Sequence, residues 1–220
     1  MEKTSFSVDA KKKVVFAKGN LQYQASTGKW RFAEHQYDFI GEGNNDPDPD
    51  DWVDLFVWDK GHNPSGPFIG GEGFEGWHLL NQCEWGDLFF DRKTKSGMSY
   101  TKAKVHGVNG LVLVPDLWDG SDYEFKGADN WRTPFADNII TDEQWEALEK
   151  AGVVFLPAGG YDVEGEDEEG VSHAGEHGTY WTSSPMGDGA MHFVFFDQEL
   201  FIDELEREFK CSIRLVRPVK

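Results

Sequence analysis

The chain has few cysteines, few cations and no long apolar run, and each shortage excludes a class of protein. Two of its 220 residues are cysteine, Cys83 and Cys211, too few for a disulfide-rich framework or a cysteine-based zinc site. They leave open either one disulfide or two unpaired, buried thiols. No apolar run approaches the roughly 18 residues of a membrane-spanning helix, so no membrane insertion is expected. No signal peptide is visible, which leaves the compartment open.

Cations are scarce relative to anions. Lys and Arg number 21 against 40 Asp and Glu, for a formal net charge of −19. Nucleic acids and anionic membranes select basic patches, so neither is expected as a partner. The charge instead favours a soluble surface that keeps molecules apart by repulsion.

Aromatic residues, in contrast, are abundant. They make up 15% of the chain and include nine Trp, which is typical of a large flat core or of a binding surface built on amphipathic rings. The length suits one domain, and no internal repeat or linker divides it, so residues 1–220 are interpreted as a single domain.

Short alternating segments predict a set of β-strands. Residues around Gly28 form a predicted hairpin, and Asn109-Gly110 is predicted to be the turn of another. The predicted strands are 6–8, 14–16, 21–24, 30–32, 103–105, 111–115, 153–157 and 191–196.

Two capping boxes predict helices. Asn81 with Glu84 begins a helix expected to run to about residue 92, and Thr141 with Gln144 begins one that ends before Gly152. Apolar pairs flank both boxes as hydrophobic staples: Leu80 with Trp85, and Ile140 with Trp145.

Two clusters could hold a metal ion, and neither has the expected spacing. Asp46, Asp48 and Asp50 offer carboxylates for Ca²⁺, yet the loop lacks the glycine and the terminal glutamate of an EF-hand. An acidic surface loop is the favoured interpretation, with Ca²⁺ as the alternative. His173 and His177 are four residues apart, but the intervening Gly175 favours a solvated loop over a zinc helix.

Recognised catalytic motifs are missing from the sequence. There is no glycine-rich phosphate loop and no Gly-x-Ser-x-Gly elbow. The many carboxylates could supply a glycosidase pair, but a sequence does not give the separation that such a pair requires.

Eight segments in order carry a family resemblance. They are 19–23 (GNLQY), 30–33 (WRFA), 52–56 (WVDLF), 84–85 (EW), 103–110 (AKVHGVNG), 154–161 (VFLPAGGY), 180–184 (YWTSS) and 212–217 (SIRLVR). Together they resemble proteins abundant in gut Bacteroides-type bacteria and their phages. That group is similar to the Fibrobacter major paralogous domain and to formylglycine-generating-enzyme-like C-type lectin folds, which include variable proteins diversified by retroelements.

The resemblance implies an α+β, C-type-lectin-like fold with a small twisted antiparallel sheet, two short helices and long irregular loops. It implies framework roles for Trp181 and Arg214, and ligand contacts in a displayed segment at about residues 179–211. Formylglycine-generating enzymes use two nearby cysteines late in the chain, whereas Cys211 stands alone there, so a non-enzymatic role is expected. The displayed segment is rich in Glu, Phe and Asp instead of the Tyr, Asn and Ser of diversified relatives.

The alternation of residues 191–196 gives the displayed segment two faces. Met191, Phe193 and Phe195 share one face, which we predict to be core, and the opposite face mixes rings with charge, as interfaces do. The alternative is that both faces are buried and the following segment is a plain hairpin loop. The predicted ligand-binding residues are Ser183, Met186, Asp188, His192, Val194, Phe196, Asp197, Glu199, Phe201 and Asp203.

The leading hypothesis is therefore recognition of a protein or glycan, preferably cationic or amphipathic, on a cell surface, in secreted form or on a phage virion. No cofactor is expected apart from the Ca²⁺ alternative. A divergent metal-dependent enzyme of the same fold is the rival. A structural module that oligomerises through Trp58, Phe68, Phe74 and Trp77 is the third hypothesis.

Overall fold

The fold is of the mixed α+β class, as predicted, and strands dominate it. The computed structural model describes residues 4–45, 52–58, 73–163 and 170–219. Phe68 and the three candidate calcium ligands, Asp46, Asp48 and Asp50, therefore lie outside the described residues. Within the described ranges the strands are β1 Phe6–Ser7, β2 Lys13–Phe16, β3 Leu21–Gln24, β4 Lys29–Phe32, β5 Trp52–Val53, β6 Leu55–Val57, β7 Tyr100–Val105, β8 Val108–Leu113, β9 Ile139–Ile140, β10 Val154–Pro157, β11 Asp162–Val163, β12 Gly178–Met186, β13 Gly189–Phe196, β14 Glu199–Leu205, β15 Phe209–Ser212 and β16 Val216–Pro218.

Two helices, α1 (Gln82–Gly86) and α2 (Asp142–Lys150), begin at the predicted capping boxes. The Asn81 side chain accepts from the backbone N–H of Glu84, and the Thr141 side chain does the same for Gln144. A π-helical turn over Asp87–Asp91 carries α1 on to a C-cap at residue 92, so the predicted length is confirmed. In the described part of the chain, every helix is too short or too polar to cross a membrane.

The hairpin of β7 and β8 turns earlier than predicted. Its turn is His106-Gly107, both at positive φ (49° and 80°), and Asn109 and Gly110 lie inside β8 opposite Lys104 and Ala103. Gly110 is needed there because a side chain would collide with the ring of Phe155 and with a backbone oxygen of β10. The Asn-Gly turn prediction was therefore wrong: this glycine serves close packing between strands.

The strands form four sheets. A four-stranded sheet has the order β10-β8-β7-β9, and a six-stranded sheet has the order β11-β15-β12-β13-β14, with β6 paired to β15. Two three-stranded sheets complete the fold, β1-β2-β16 and β4-β3-β5. The predicted pairing of β1 with β2 and the β3–β4 hairpin are both confirmed.

The main core includes residues of the two large sheets. Phe193 and Tyr180 of the six-stranded sheet belong to the same buried cluster as Leu111 and Leu113 of β8 and Trp85 of α1. A second core lies on the other side of the four-stranded sheet, where Trp145 and Leu148 of α2 cluster with Phe155 and Val112.

Arg214 is buried, and its hydrogen bonds link β10 to residues that follow β2 and β4. Its Nε donates to Asn20 Oδ1 (2.9 Å), and its Nη atoms donate to backbone oxygens of Ala17, Gln36 and Phe155. Burial lowers the pKa of Arg214 to about 10, so the guanidinium stays charged at neutral pH. Its predicted anchoring role is confirmed.

The other framework residues are Trp181 and the cysteines. Trp181 is 1% exposed and donates Nε1 to Phe56 O, which confirms its predicted packing role. Both cysteines are free: Cys211 is buried in the Trp181 cluster, whereas Cys83 is exposed on α1. The expectation of two buried thiols therefore holds for Cys211 alone.

Candidate functional site

The predicted ligand segment forms two consecutive tight hairpins. Met186 pairs with Gly189 across the first turn, where Gly187 has φ 51°, and Phe196 pairs with Glu199 across the second. Such two-residue turns fix the strand register, because each is closed by a directly opposed pair. The charged segment after Phe196 is therefore an ordered strand, β14, in place of the plain loop of the alternative interpretation.

On the face of β13 that was predicted to be core, Phe193 and Phe195 are core and Met191 is half-buried. Phe193 and Phe195 are fully buried, and the Phe193 ring stacks on Tyr180 with centroids 5.0 Å apart. The same ring contacts Trp85 of α1 at 4.2 Å. This aromatic packing holds the two hairpins rigidly against the rest of the domain.

The opposite face is less exposed than the sequence suggested. His192 and Val194 are 5% and 7% exposed, and Ser183 is buried where its N–H donates to Leu80 O. These three residues can support a ligand surface but offer little surface of their own to a ligand. Of the remaining predicted residues, Phe196 and Glu199 are half-buried, and the exposed ones are Met186, Asp188, Asp197, Phe201 and Asp203.

His192 has a packing role that explains its burial. Its ring meets Trp181 edge-on, and its Nδ1 donates to the backbone oxygen of Asp203 at 2.9 Å. Burial lowers the pKa of His192, an effect that this hydrogen bond to Asp203 partly offsets. The neutral ring therefore stabilises the β13–β14 pairing from beneath.

A row of six rings runs along this face, and we call it the ring row. Neighbouring centroids are 4.2 to 6.3 Å apart. Its members, in order, are Phe209, Tyr161, His173, His177, Phe196 and Phe201. The row ends at Phe201, which is 40% exposed on β14. Tyr161, His173 and His177 were not predicted as part of the site.

The histidine pair is stacked in a way that opposes metal chelation. The His173 and His177 rings are nearly parallel, 10° apart, with centroids separated by 4.2 Å. Since a metal ion lies close to the plane of each imidazole that binds it, two parallel rings cannot share one ion in this arrangement. Across the described residues, no group of three or more His, Cys, Asp or Glu side chains is placed to hold a metal.

A cleft opens between the two large sheets beside the ring row. Its volume is about 350 Å³, and its walls combine cationic, anionic, amide and aromatic groups. The lining residues are Lys104, Asn109, Phe135, Ala136, Glu176, His177, Phe196 and Asp197.

Hydrogen bonds fix the cleft walls. Asp197 Oδ1 accepts from the backbone N–H of Phe135 at 3.1 Å, and Asn109 Nδ2 donates to Gly175 O at 2.9 Å. Asp197 therefore joins the β13–β14 turn to the loop before β9. This carboxylate has a structural partner in addition to any ligand that it contacts.

Lys102 lies on β7 behind the cleft and is fully buried. Its Nζ donates to the Trp131 backbone oxygen, and its charge is attracted by Asp197 and Glu199. Burial lowers the pKa of Lys102 to about 8, against the opposing effect of these two carboxylates. The cation reduces the repulsion between the carboxylates at the β13–β14 turn.

The thiols do not form a reactive pair. Burial raises the pKa of Cys211, which makes its thiolate scarce and its thiol a packing group. Cys83 is exposed on α1, and Trp85 of this helix belongs to the main core, whereas Cys211 belongs to the separate cluster of Trp181. The two thiols are therefore separate free groups in this structure.

The comparisons with known proteins give one match. Residues 132–216 match a family described as a domain of unknown function (DUF8237). No curated protein and no solved structure matches the chain. The matched stretch is less than half of the chain, and it includes α2, β9 to β15, the whole ring row and Arg214.

Proposed function

We propose that this protein is a non-enzymatic recognition domain of C-type-lectin-like fold that presents its C-terminal hairpins to a protein or glycan ligand. The observation that carries the proposal is the end of the ring row. There Phe196 and Phe201 meet edge-on, 6.3 Å apart, among exposed carboxylates on a rigid pair of strands.

Rigid rings beside polar groups suit recognition. An exposed ring supplies contact area at a low cost in conformational entropy, and the neighbouring carboxylates and amide supply directional hydrogen bonds. The cleft next to Phe196 adds a concave site with a volume of about 350 Å³ beside these two rings. A ligand that covers both would contact Asp197, Glu199, Phe201 and Asp203.

The architecture supports the C-type-lectin-like part of the proposal. Small, mostly antiparallel sheets, two short capped helices and long connections such as that from β8 to β9 are what the resemblance implies. Display on a bacterial cell surface or a phage particle is part of the same proposal, and it rests on the resemblance alone.

An array of glycans and bacterial surface proteins tests the proposal. Wild-type protein should bind one class of ligand, and the double variant Phe196→Ala/Phe201→Ala should bind it at least about tenfold more weakly. Phe90→Ala is the matched control, because Phe90 is 57% exposed in the π-helical turn after α1. Equal binding by the double variant and the control would remove this surface from consideration. Thermal unfolding of each variant separates lost contacts from lost folding.

A further inference from the structure

The outer edge of β14 is open. This strand is last in the order of the six-stranded sheet, pairs with β13 on one side and is seven residues long. Because the turn at Asp197-Gln198 is closed by the pair Phe196 and Glu199, alternate residues of β14 direct their backbone groups away from β13. The outward residues are Leu200, Ile202 and Glu204.

Within the described part of the chain, nothing pairs with the backbone groups of Leu200 and Ile202 on this side. The Glu204 N–H is bonded locally, to Asp203 Oδ1 at 2.8 Å. The other end strands of the two large sheets are β9, β10 and β11. β9 and β11 are only two residues long, and the outer edge of β10 is bonded to the side chains of Gln36 and Arg214. A long, unpaired edge strand is a template for another strand.

The side chains of β14 specify what could add to it. Glu199, Phe201 and Asp203 lie on the ring-row face, and Leu200 and Ile202 lie on the core face. Phe201 and Asp203 are exposed and Glu199 is half-buried. On the core face, Leu200 is 6% exposed and Ile202 is half-buried against the core. An added strand therefore meets carboxylates and a ring on one face and apolar surface on the other.

We propose that β14 binds an extended segment of a partner protein as an additional strand, in which cationic residues alternate with apolar ones. Backbone hydrogen bonds to Leu200 and Ile202 supply affinity, and pairing of cations with Glu199 and Asp203 supplies specificity. The proposal rests on the proposed recognition function and narrows its ligand to a polypeptide.

Charge argues against a second copy of the chain as the occupant. Pairing β14 with itself would bring Glu199, Asp203 and Glu204 of two molecules together, each molecule with a net charge of −19. Like charges on facing strands destabilise a sheet. An oppositely charged segment removes that repulsion.

Amide hydrogen exchange, measured by NMR, tests strand addition directly. The probe is a capped seven-residue peptide of alternating Lys and Val, equal in length to β14. Near saturation, the amides of Leu200 and Ile202 should exchange at least about tenfold more slowly than in the free protein. The amides of Phe201 and Asp203 should change little, because they already face β13.

Three controls isolate the contributions. A peptide with Glu in place of Lys should fail to bind, and a peptide N-methylated on its pairing edge should bind at least about tenfold more weakly. The variant Glu199→Lys/Asp203→Lys should lose at least about tenfold in affinity. Its matched control, Glu143→Lys/Glu146→Lys on the exposed side of α2, makes the same change in net charge and should keep affinity within about twofold.

Each other outcome overturns the proposal. Peptide binding without slowed exchange at Leu200 and Ile202 would place the ligand on the ring-row face, so that strand addition fails and the recognition function stands. Slowed exchange without peptide, together with a dimer in light scattering, would make a second copy the occupant. Absence of peptide binding removes strand addition, and the ligand array with Phe196→Ala/Phe201→Ala then decides the recognition function separately.

Discussion

Among the described strands, the sheet edges at β10 and β14 are treated in opposite ways. At β10 the backbone N–H of Phe155 donates to Gln36 Oε1 (2.8 Å), and its carbonyl accepts from Arg214 (2.8 Å). At β14 the outward backbone groups of Leu200 and Ile202 find no partner among the described residues. The first edge is closed by buried side chains, and the second is flanked by carboxylates.

The difference follows from burial. An unpaired backbone group costs free energy where water cannot reach it, so the buried β10 edge must be satisfied from within the protein. The β14 edge carries the exposed residues Phe201, Asp203 and Glu204, and charge is sufficient to discourage unwanted pairing there. Closing β10 serves stability, whereas leaving β14 open keeps it available to a partner.

Substitution of Arg214 should have the largest effect. Arg214→Met fills similar space but leaves buried acceptors of Asn20 and Phe155 without a donor, at a cost of about 3 kcal/mol or more in unfolding free energy. Chemical denaturation measures the loss. The control Arg132→Met removes an exposed arginine and should cost less than about 0.5 kcal/mol. A loss below about 1 kcal/mol for Arg214→Met would mean that the β10 edge does not need sealing.

Substitution of Gln36 should rank second. Gln36 is 6% exposed. Gln36→Leu keeps a side chain of similar volume but leaves the Phe155 N–H buried and unpaired. The expected loss is about 1–3 kcal/mol, measured by the same denaturation experiment. Glu149, whose Oε1 accepts from Gln36, is exposed, so Glu149→Gln should have little effect. Equal losses from Gln36→Leu and Glu149→Gln would mean that the contact between Gln36 and Glu149 at the surface, and not the bond to Phe155, accounts for the loss.

Removal of the carboxylates at β14 should change association with little change in stability. Glu199→Thr/Asp203→Thr keeps strand propensity and should alter unfolding free energy by less than about 1 kcal/mol. The variant should nevertheless form dimers or larger species as concentration rises, because an edge without charge pairs with copies of itself. Light scattering over a concentration series measures this. A variant that stays monomeric would show that something other than charge protects the edge.

Acidification should lower the stability of the protein through His177 of the ring row. We expect this to be the smallest of the four predicted effects. Burial, followed by the charge of His173, lowers the pKa of His177 from 6.5. The unfolded chain therefore takes up this proton at a higher pH, and stability falls as the pH drops below 6.5 until the folded pKa is passed. His177→Phe keeps the ring contact and removes the titration, so it should lose less stability on acidification, by under about 1 kcal/mol.

Thermal melts from about pH 7.5 to pH 5 measure the difference between wild type and His177→Phe. Other groups titrate in this range, including Asp54, whose pKa burial raises to about 6. Both proteins share those groups, so the effects of groups that do not interact with His177 cancel. Parallel curves would show that His177 does not contribute to the pH dependence.

Short sequence patterns predicted many of the helices and strands. The capping boxes of α1 and α2 and the first two strand pairs depend on residues close in sequence, and the structure has them where the sequence placed them. The β7–β8 turn was missed because Asn109-Gly110 is a strong local signal, whereas the reason for Gly110 is a ring on β10, 45 residues later. Contact between distant strands overrode the turn preference.

The candidate site was predicted less well for the same reason. The exposed residues of β14 follow from alternation, but His192 also alternates correctly and is buried by Trp181. The histidine pair was predicted to lie in a solvated loop, and nothing in the sequence indicated that His177 stacks on Phe196, about twenty residues further on. A period-two pattern identifies which face a side chain takes, and it does not reveal what covers that face.

The position of Arg214 in the chain also matters for folding. Its partners are Ala17, Asn20, Gln36 and Phe155, separated from it by 197, 194, 178 and 59 residues. Contacts of such long range slow folding, since the chain must close large loops before they form. During synthesis the β10 edge stays unsealed until residue 214 has been made, after β14 is already complete. A nascent chain halted between these points carries two open edges, and we expect it to be the species most prone to aggregate.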